Sequence, residues 1–223
     1  MGNLKEKMKS DARKASNVRN NIGNNNTKQA EIYSVAATLY GEAKDLDNKG
    51  ITRVAETIRN RYNFYNKNKA DGVNKITYRD IVAAPDQYKG FNVYRNKSLK
   101  DFQDFEKNLK GDDRKNWDRC MAIARKVVNG QLRTDYARGA LGFNQASIEA
   151  NKKMFKTTSV FKDDSCYIDD PTRCSPHVFI GDYYMSPLKD ANGKLLAKGG
   201  NPNENSTRIL AQNKMAQARN GRG

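Results

Sequence analysis

The chain has 223 residues, 37% of them hydrophobic, enough for one packed domain of modest core with polar extensions. Lysine and arginine number 41 against 25 aspartates and glutamates, a net charge of +16. That balance favours polyanionic partners (nucleic acid, teichoic acid, lipopolysaccharide or anionic lipid) without choosing among them, and no apolar run approaches the roughly 20 residues that a membrane span needs.

Residues 1–27 are polar, rich in lysine, arginine and asparagine, and are expected to form a basic N-terminal arm that ends in the linker-like run 24–27. The first basic residues are not followed by an apolar stretch, so no secretory signal peptide is expected. Glu6 stands where a myristoylation motif has Ser or Thr. From Lys28 onward Ile32, Ala36, Leu39 and Ala43 recur at helical spacing, and after a polar turn Ile51, Val54, Ala55, Ile58 and Tyr62 form a second apolar stripe. Residues 63–75 read as a polar loop. Thr77 with Asp80 opens a short helix over 78–84 in capping-box style, and Pro85 stops it. Residues 86–91 read as a turn or extended piece.

Ser98 with Asp101 opens a further helix carrying Leu99, Phe102, Phe105 and Leu109, with Gly111 as its expected end. Trp117, Cys120, Met121, Ala124 and Val128 line the next helix, which Gly130 closes. Beyond Tyr136 the likeliest strands by aromatic and β-branched content lie in 140–144 and 177–184. The polar, basic stretch 187–223 carries turn signals and a weak helical pattern over 206–218. The expected organisation is a core domain over 28–186 between the basic arm and a basic C-terminal extension. Its fold class is α+β, mainly helical, with a small sheet late in the chain.

Glu42 is the residue whose position suggests chemistry. It closes the first helix, where the partial negative charge of the helix end disfavours a carboxylate and raises its pKa. A general acid working near neutral pH needs that shift; the competing reading is a solvated acid. Glu56, Asp80 and Asp86 are available as second acids, but Glu56 reads as a surface residue of a helix and Asp80 as a cap. Arg61 reads as a solvated residue at a helix end.

His177 is the only histidine, too few for the usual zinc amidase or peptidase centre. The one conceivable zinc set joins it to Cys174, Cys166 and Cys120, and Cys120 is remote in sequence. Its mid-helix place also counts against a Cys–His peptidase. Cys166 and Cys174 sit close together in a polar loop, where a disulfide and two reduced thiols are both open.

Leu39-Tyr40-Gly41-Glu42-Ala43, followed by Gly50-x-x-x-Val54-Ala55 and Asn60-Arg61, resembles the opening of the SleB-type cell-wall hydrolase family, which includes the spore-cortex-lytic enzymes. Gln87-Tyr88 falls where that family has a Gln-Phe pair. Gly139-Ala140-Leu141-Gly142-Phe143-Asn144 resembles its Gly-Ala-Leu-x-Phe segment, and His177-Val178-Phe179 its terminal His-x-Phe. The pieces occur in the family's order. Gly142 replaces a bulky residue, and the loop 166–176 has no counterpart in the pattern.

The resemblance implies a lysozyme-like, transglycosylase-like domain that acts on peptidoglycan glycan strands without metal or organic cofactor. Glu42 would protonate the glycosidic oxygen between N-acetylmuramic acid and N-acetylglucosamine and then accept the proton of the 6-hydroxyl, leaving a 1,6-anhydro end. Gln87, Tyr88 and Phe143 would line a sugar cleft, with Tyr40 beside them, although Tyr40 and Phe143 read equally well as core. Asn60 would bond the turn that carries Glu42, and His177 would support the cleft or hydrogen-bond within it.

A hydrolytic muramidase with a second carboxylate is the enzymatic alternative. A basic virion or nucleic-acid-binding protein on the same fold is the non-enzymatic one, and no sequence-specific DNA or RNA motif is legible for it. Cytoplasmic synthesis followed by action at the wall, as in phage lysis or virion-carried wall piercing, is the expected setting.

Overall fold

The computed structural model describes residues 27–84, 87–145, 147–155, 159–181 and 183–201. The N-terminal arm up to residue 26, Pro85, Asp86 and the helical pattern over 206–218 lie outside these. The architecture is α+β, a helical body with two small antiparallel sheets late in the chain.

Helix α1 spans 27–43 and α2 spans Asn48–Lys67. The two apolar stripes pack as the periodicity predicts: Ile32, Ala36, Leu39, Ala43, Ile51, Val54, Ala55 and Ile58 are all buried in one core. Asp47 caps α2 by accepting from the Gly50 N–H at 2.8 Å. The helix does not stop at Tyr62. It runs on to Lys67 through the expected loop, because Phe64 and Tyr65 keep an apolar face in register and bury it.

Helix α3, Tyr78–Ala83, starts on the predicted capping box, in which Thr77 and Asp80 bond each other's backbone N–H groups. A 3₁₀ turn, Lys89–Tyr94, follows. Helix α4, Leu99–Asn108, begins on the second capping box, Ser98 with Asp101. Gly111 does not end α4; with φ +54° it starts α5, Gly111–Val128. Gly130, at φ +68°, follows the end of α5, a conformation that suits glycine. Trp117 is fully buried among Tyr33, Tyr40 and Phe105, the aromatic centre of the α1–α4–α5 core.

Strands β1, Gly142–Asn144, and β3, Val178–Ile180, fall within the two segments predicted to be strands but are shorter. Between them lie helix α6, Ile148–Phe155, and strand β2, Val160–Lys162, neither of them predicted. The antiparallel order is β1-β3-β2, and the register places Phe143, Phe179 and Phe161 in one row across the sheet. Their ring centroids lie 5.7 and 5.4 Å apart, a cross-strand aromatic ladder.

A second hairpin, β4 Leu188–Lys189 with β5 Leu195–Ala197, carries Leu188 and Ala197 into the main core, so packing continues past residue 186. It is tied to the end of α2 by the Tyr65 hydroxyl, which donates to the Ser186 carbonyl at 2.8 Å. Among the described residues no helix is long and apolar enough to cross a membrane.

Candidate active site

The last turn of α1 projects Glu42 into a cleft with two parts. The larger is a cavity of about 300 Å³ lined by Glu42, Arg61, Gln87, Lys89, Phe143, Asn144, Gln145, His177 and Tyr183. The smaller, about 120 Å³, shares Glu42, Gln145 and His177 and adds Asp45, Tyr167 and Pro176 among others. Four residues singled out from sequence, Glu42, Gln87, Phe143 and His177, therefore line one space.

Glu42 is half-buried, and its Oε1 accepts from the Gly90 N–H at 2.6 Å. That contact depends on two glycines. A Cβ on Gly41 would stand 2.5 Å from the Gly90 carbonyl oxygen, and one on Gly90 would stand 2.5 Å from the Gly41 carbonyl carbon. The end of α1 and the 3₁₀ turn can approach this closely only where neither residue carries a side chain. Burial raises the Glu42 pKa above the ordinary carboxylate value; the Gly90 N–H, Lys89 and Arg61 oppose that shift without cancelling it.

The segment beyond Glu42 is fixed by the cysteine loop. The Asp47 N–H donates to the Cys166 carbonyl at 2.8 Å, and the Ile168 N–H donates to the Asp45 carbonyl at 2.9 Å. Cys166 and Cys174 face each other at an antiparallel bridge whose backbone bonds lie on either side, Tyr167 N–H to Arg173 O and Ser175 N–H to Ser165 O. Both thiols are free. Cys120 is far from solvent in α5, and burial pushes its thiol up to about 12.

His177 is buried on the opposite wall, its ring 4.9 Å from that of Phe143. Burial lowers its pKa, with the Asp163 charge opposing, so the imidazole is neutral at pH 7. The Asp163 N–H bonds the His177 carbonyl, and the Asp163 side chain pairs with Arg53 in the interior.

Three expectations are corrected. Tyr40 is not a cleft residue. It is 8% exposed, packs against Phe105 and Trp117, and donates its hydroxyl to Asp113 at 2.6 Å. Asn60 does not hold the Glu42 turn; its amide donates to the Ala140 carbonyl at 3.0 Å and so positions the approach to β1. Tyr88 is wholly enclosed behind the cleft wall, with its ring 6.3 Å from that of Phe143 and 4.9 Å from the Arg61 guanidinium.

Other site residues carried no sequence signal, or a misleading one. Arg61, read as solvated, is 3% exposed; it donates to the Leu141 carbonyl and to Gln87 Oε1. Glu56, read as a surface acid, is fully buried and accepts the Ala137 N–H at 2.5 Å. Asp80 is the cap it was taken for. Lys89, Asn144, Gln145 and Tyr183 become site residues only through the fold. Gly142 has no room for a side chain, because a Cβ there would lie 2.5 Å from the Tyr183 ring that lines the cleft.

Chemically, the larger cavity offers one half-buried carboxyl, three side-chain amides, a neutral imidazole, two aromatic rings and two cations. That set suits hydrogen bonding to, and stacking on, a polyhydroxylated chain. Comparison with protein-family models, curated proteins and solved structures found no match.

Proposed function

We propose that this chain is a lysozyme-like peptidoglycan lytic transglycosylase of the SleB type, with Glu42 as acid and then base. The observation that carries the reading is Glu42 itself. It is a half-buried carboxyl with a raised pKa, oriented by one backbone N–H, and the only acid among the described residues lining the larger cavity. Its proton goes to the glycosidic oxygen as the bond from C1 of N-acetylmuramic acid breaks. The 6-hydroxyl of the same sugar then attacks C1 and returns its proton to Glu42, giving a 1,6-anhydro end and consuming no water. Phe143 and Tyr183 offer ring faces to the sugars, and Gln87, Asn144, Gln145 and His177 offer hydrogen bonds.

A second reading, hydrolysis with a second carboxylate, has Asp45 in its favour, since it lines the smaller cavity beside Glu42. Mass spectrometry of purified peptidoglycan digested by wild type, Glu42→Gln and Asp45→Asn separates the cases. Anhydro-muropeptides from wild type and Asp45→Asn but not from Glu42→Gln support the transglycosylase. Reducing ends that require Asp45 select the hydrolase. Absence of products, together with salt-sensitive DNA binding indifferent to Glu42→Gln, would return the basic nucleic-acid-binding protein.

A further inference from the structure

Two cations line the larger cavity together with Glu42. Arg61 is buried, and among the described residues its guanidinium donates to neutral acceptors, the Leu141 carbonyl and Gln87 Oε1. The rings of Tyr88 and Tyr183, 4.9 and 5.5 Å from its central carbon, hold it in place. Lys89 is exposed at the cavity rim. Among the described residues, no salt bridge joins either cation to a carboxylate. Among the described residues Glu42 is the one carboxyl that lines the cavity with them, and a buried cation whose only nearby acid is protonated is costly.

We propose that Arg61 and Lys89 form an anion subsite beside Glu42 that takes the free lactyl carboxylate of a peptide-free muramic acid residue. The inference rests on the transglycosylase reading for the identity of the sugar, but the charge argument stands on the cavity alone. Glu42 must be protonated to act as an acid, and in that form the described lining of the cavity offers neither cation an anion. His177, neutral on the opposite wall, supplies none. A substrate carboxylate does.

The subsite would also assist the acid. Lys89 and Arg61 both favour the ionised form of Glu42, so an anion seated on them weakens that pull and returns Glu42 toward its protonated form. The other anion found on wall sugars, a phosphodiester on the 6-oxygen, occupies the hydroxyl that must attack C1. The carboxylate is therefore the group compatible with the reaction.

The test is binding, read by calorimetry in a Glu42→Gln background that prevents turnover. The probes are a peptide-free glycan oligosaccharide and the same oligosaccharide with its lactyl carboxylates converted to neutral methylamides. The carboxylate form is expected to bind at least about tenfold more tightly, the factor for one charge-assisted hydrogen bond. The added substitutions Lys89→Met and Lys89→Glu, at an exposed position that should not disturb folding, are expected to reduce and then abolish that preference.

Equal binding of the two probes overturns the subsite, as does a preference that survives Lys89→Glu undiminished. A carboxylate preference in binding, with no muropeptides released by the wild type, keeps the subsite and removes the transglycosylase. Anhydro products with no such preference do the reverse.

Discussion

Gly90→Ala is the sharpest perturbation of the proposed acid, because it touches neither the carboxylate nor any substrate group. A Cβ there would lie 2.5 Å from the Gly41 carbonyl carbon, 2.8 Å from the Gly41 Cα and 2.9 Å from the Glu42 nitrogen. Ordinary carbon contacts begin near ~3.5 Å, so the 3₁₀ turn must retreat by about 1 Å. The 2.6 Å bond from the Gly90 N–H to Glu42 would then open to about 3.6 Å, beyond hydrogen-bonding range. Losing a bond to a carboxylate costs about 1.5–3 kcal/mol. Displacing a catalytic group by an ångström costs about 10²-fold in rate.

The pH dependence carries a sign. The N–H stabilises the ionised form, so its loss moves the Glu42 pKa further up. A general acid works protonated, and the alkaline limb of kcat/KM should therefore shift to higher pH while the rate at the optimum falls. Muropeptide release measured across pH, with thermal unfolding of both proteins alongside, checks this. A Gly90→Ala protein with wild-type rate and an unmoved alkaline limb would refute the positioning role of this contact.

Glu42→Gln should lower activity by about 10²–10⁴-fold without loss of stability at neutral pH, as thermal melts can show. The sign follows from the raised pKa: the folded state holds the proton more tightly than the unfolded chain, so wild-type stability falls as pH rises through that window, and glutamine removes the penalty. Asp163→Asn should lower stability in urea unfolding at neutral pH by about 1.5–3 kcal/mol, because it leaves the buried Arg53 guanidinium with only the exposed Asp164 carboxylate as its partner. Burial alone would push Asp163 up, but hydrogen bonds from Ser165 and Arg53 hold it below the usual range, so its stabilisation is present at neutral pH and lost as pH falls through the folded value; the variant should lack that part of acid unfolding. Glu56→Ala should speed hydrogen exchange at the Ala137 amide, which donates its hydrogen to the buried Glu56 carboxylate.

Much of the helical frame was legible because it depends on local rules. The capping boxes at Thr77 and Ser98 specify two helix starts from four residues each, and the stripes of α1 and α2 report burial through spacing alone. The cleft was half legible. Glu42, Gln87, Phe143 and His177 could be chosen by type and order, but Arg61 and Glu56 were misread. Their partners, Leu141, Gln87 and Ala137, lie far along the chain, and a charged residue on a helix reads as solvated unless its distant partner is known. Gly41 and Gly90 belong to the same class, since a close approach of two backbones leaves no mark on either segment by itself. Strands of three residues, such as β2, are too short for a period-2 pattern to stand out.

The polar face of α2 explains how an irregular segment can carry one wall of the cleft. Residues 132–141 form no helix or strand, so their buried backbone groups need partners from elsewhere. Side chains of α2 supply them in succession. Arg53 takes the Tyr136 carbonyl, Glu56 the Ala137 N–H, Arg59 the Leu132 and Thr134 carbonyls, Asn60 the Ala140 carbonyl and Arg61 the Leu141 carbonyl. The chain thus enters β1 already fixed, and Phe143, Asn144 and Gln145 follow opposite Glu42. Because Arg61 ends that series and also holds Gln87, one guanidinium links the β1 wall to the loop that delivers the Gly90 N–H. The wall that faces the acid is therefore positioned by α2, and the same helix reaches the acid itself through Arg61, Gln87 and the turn whose Gly90 N–H bonds Glu42.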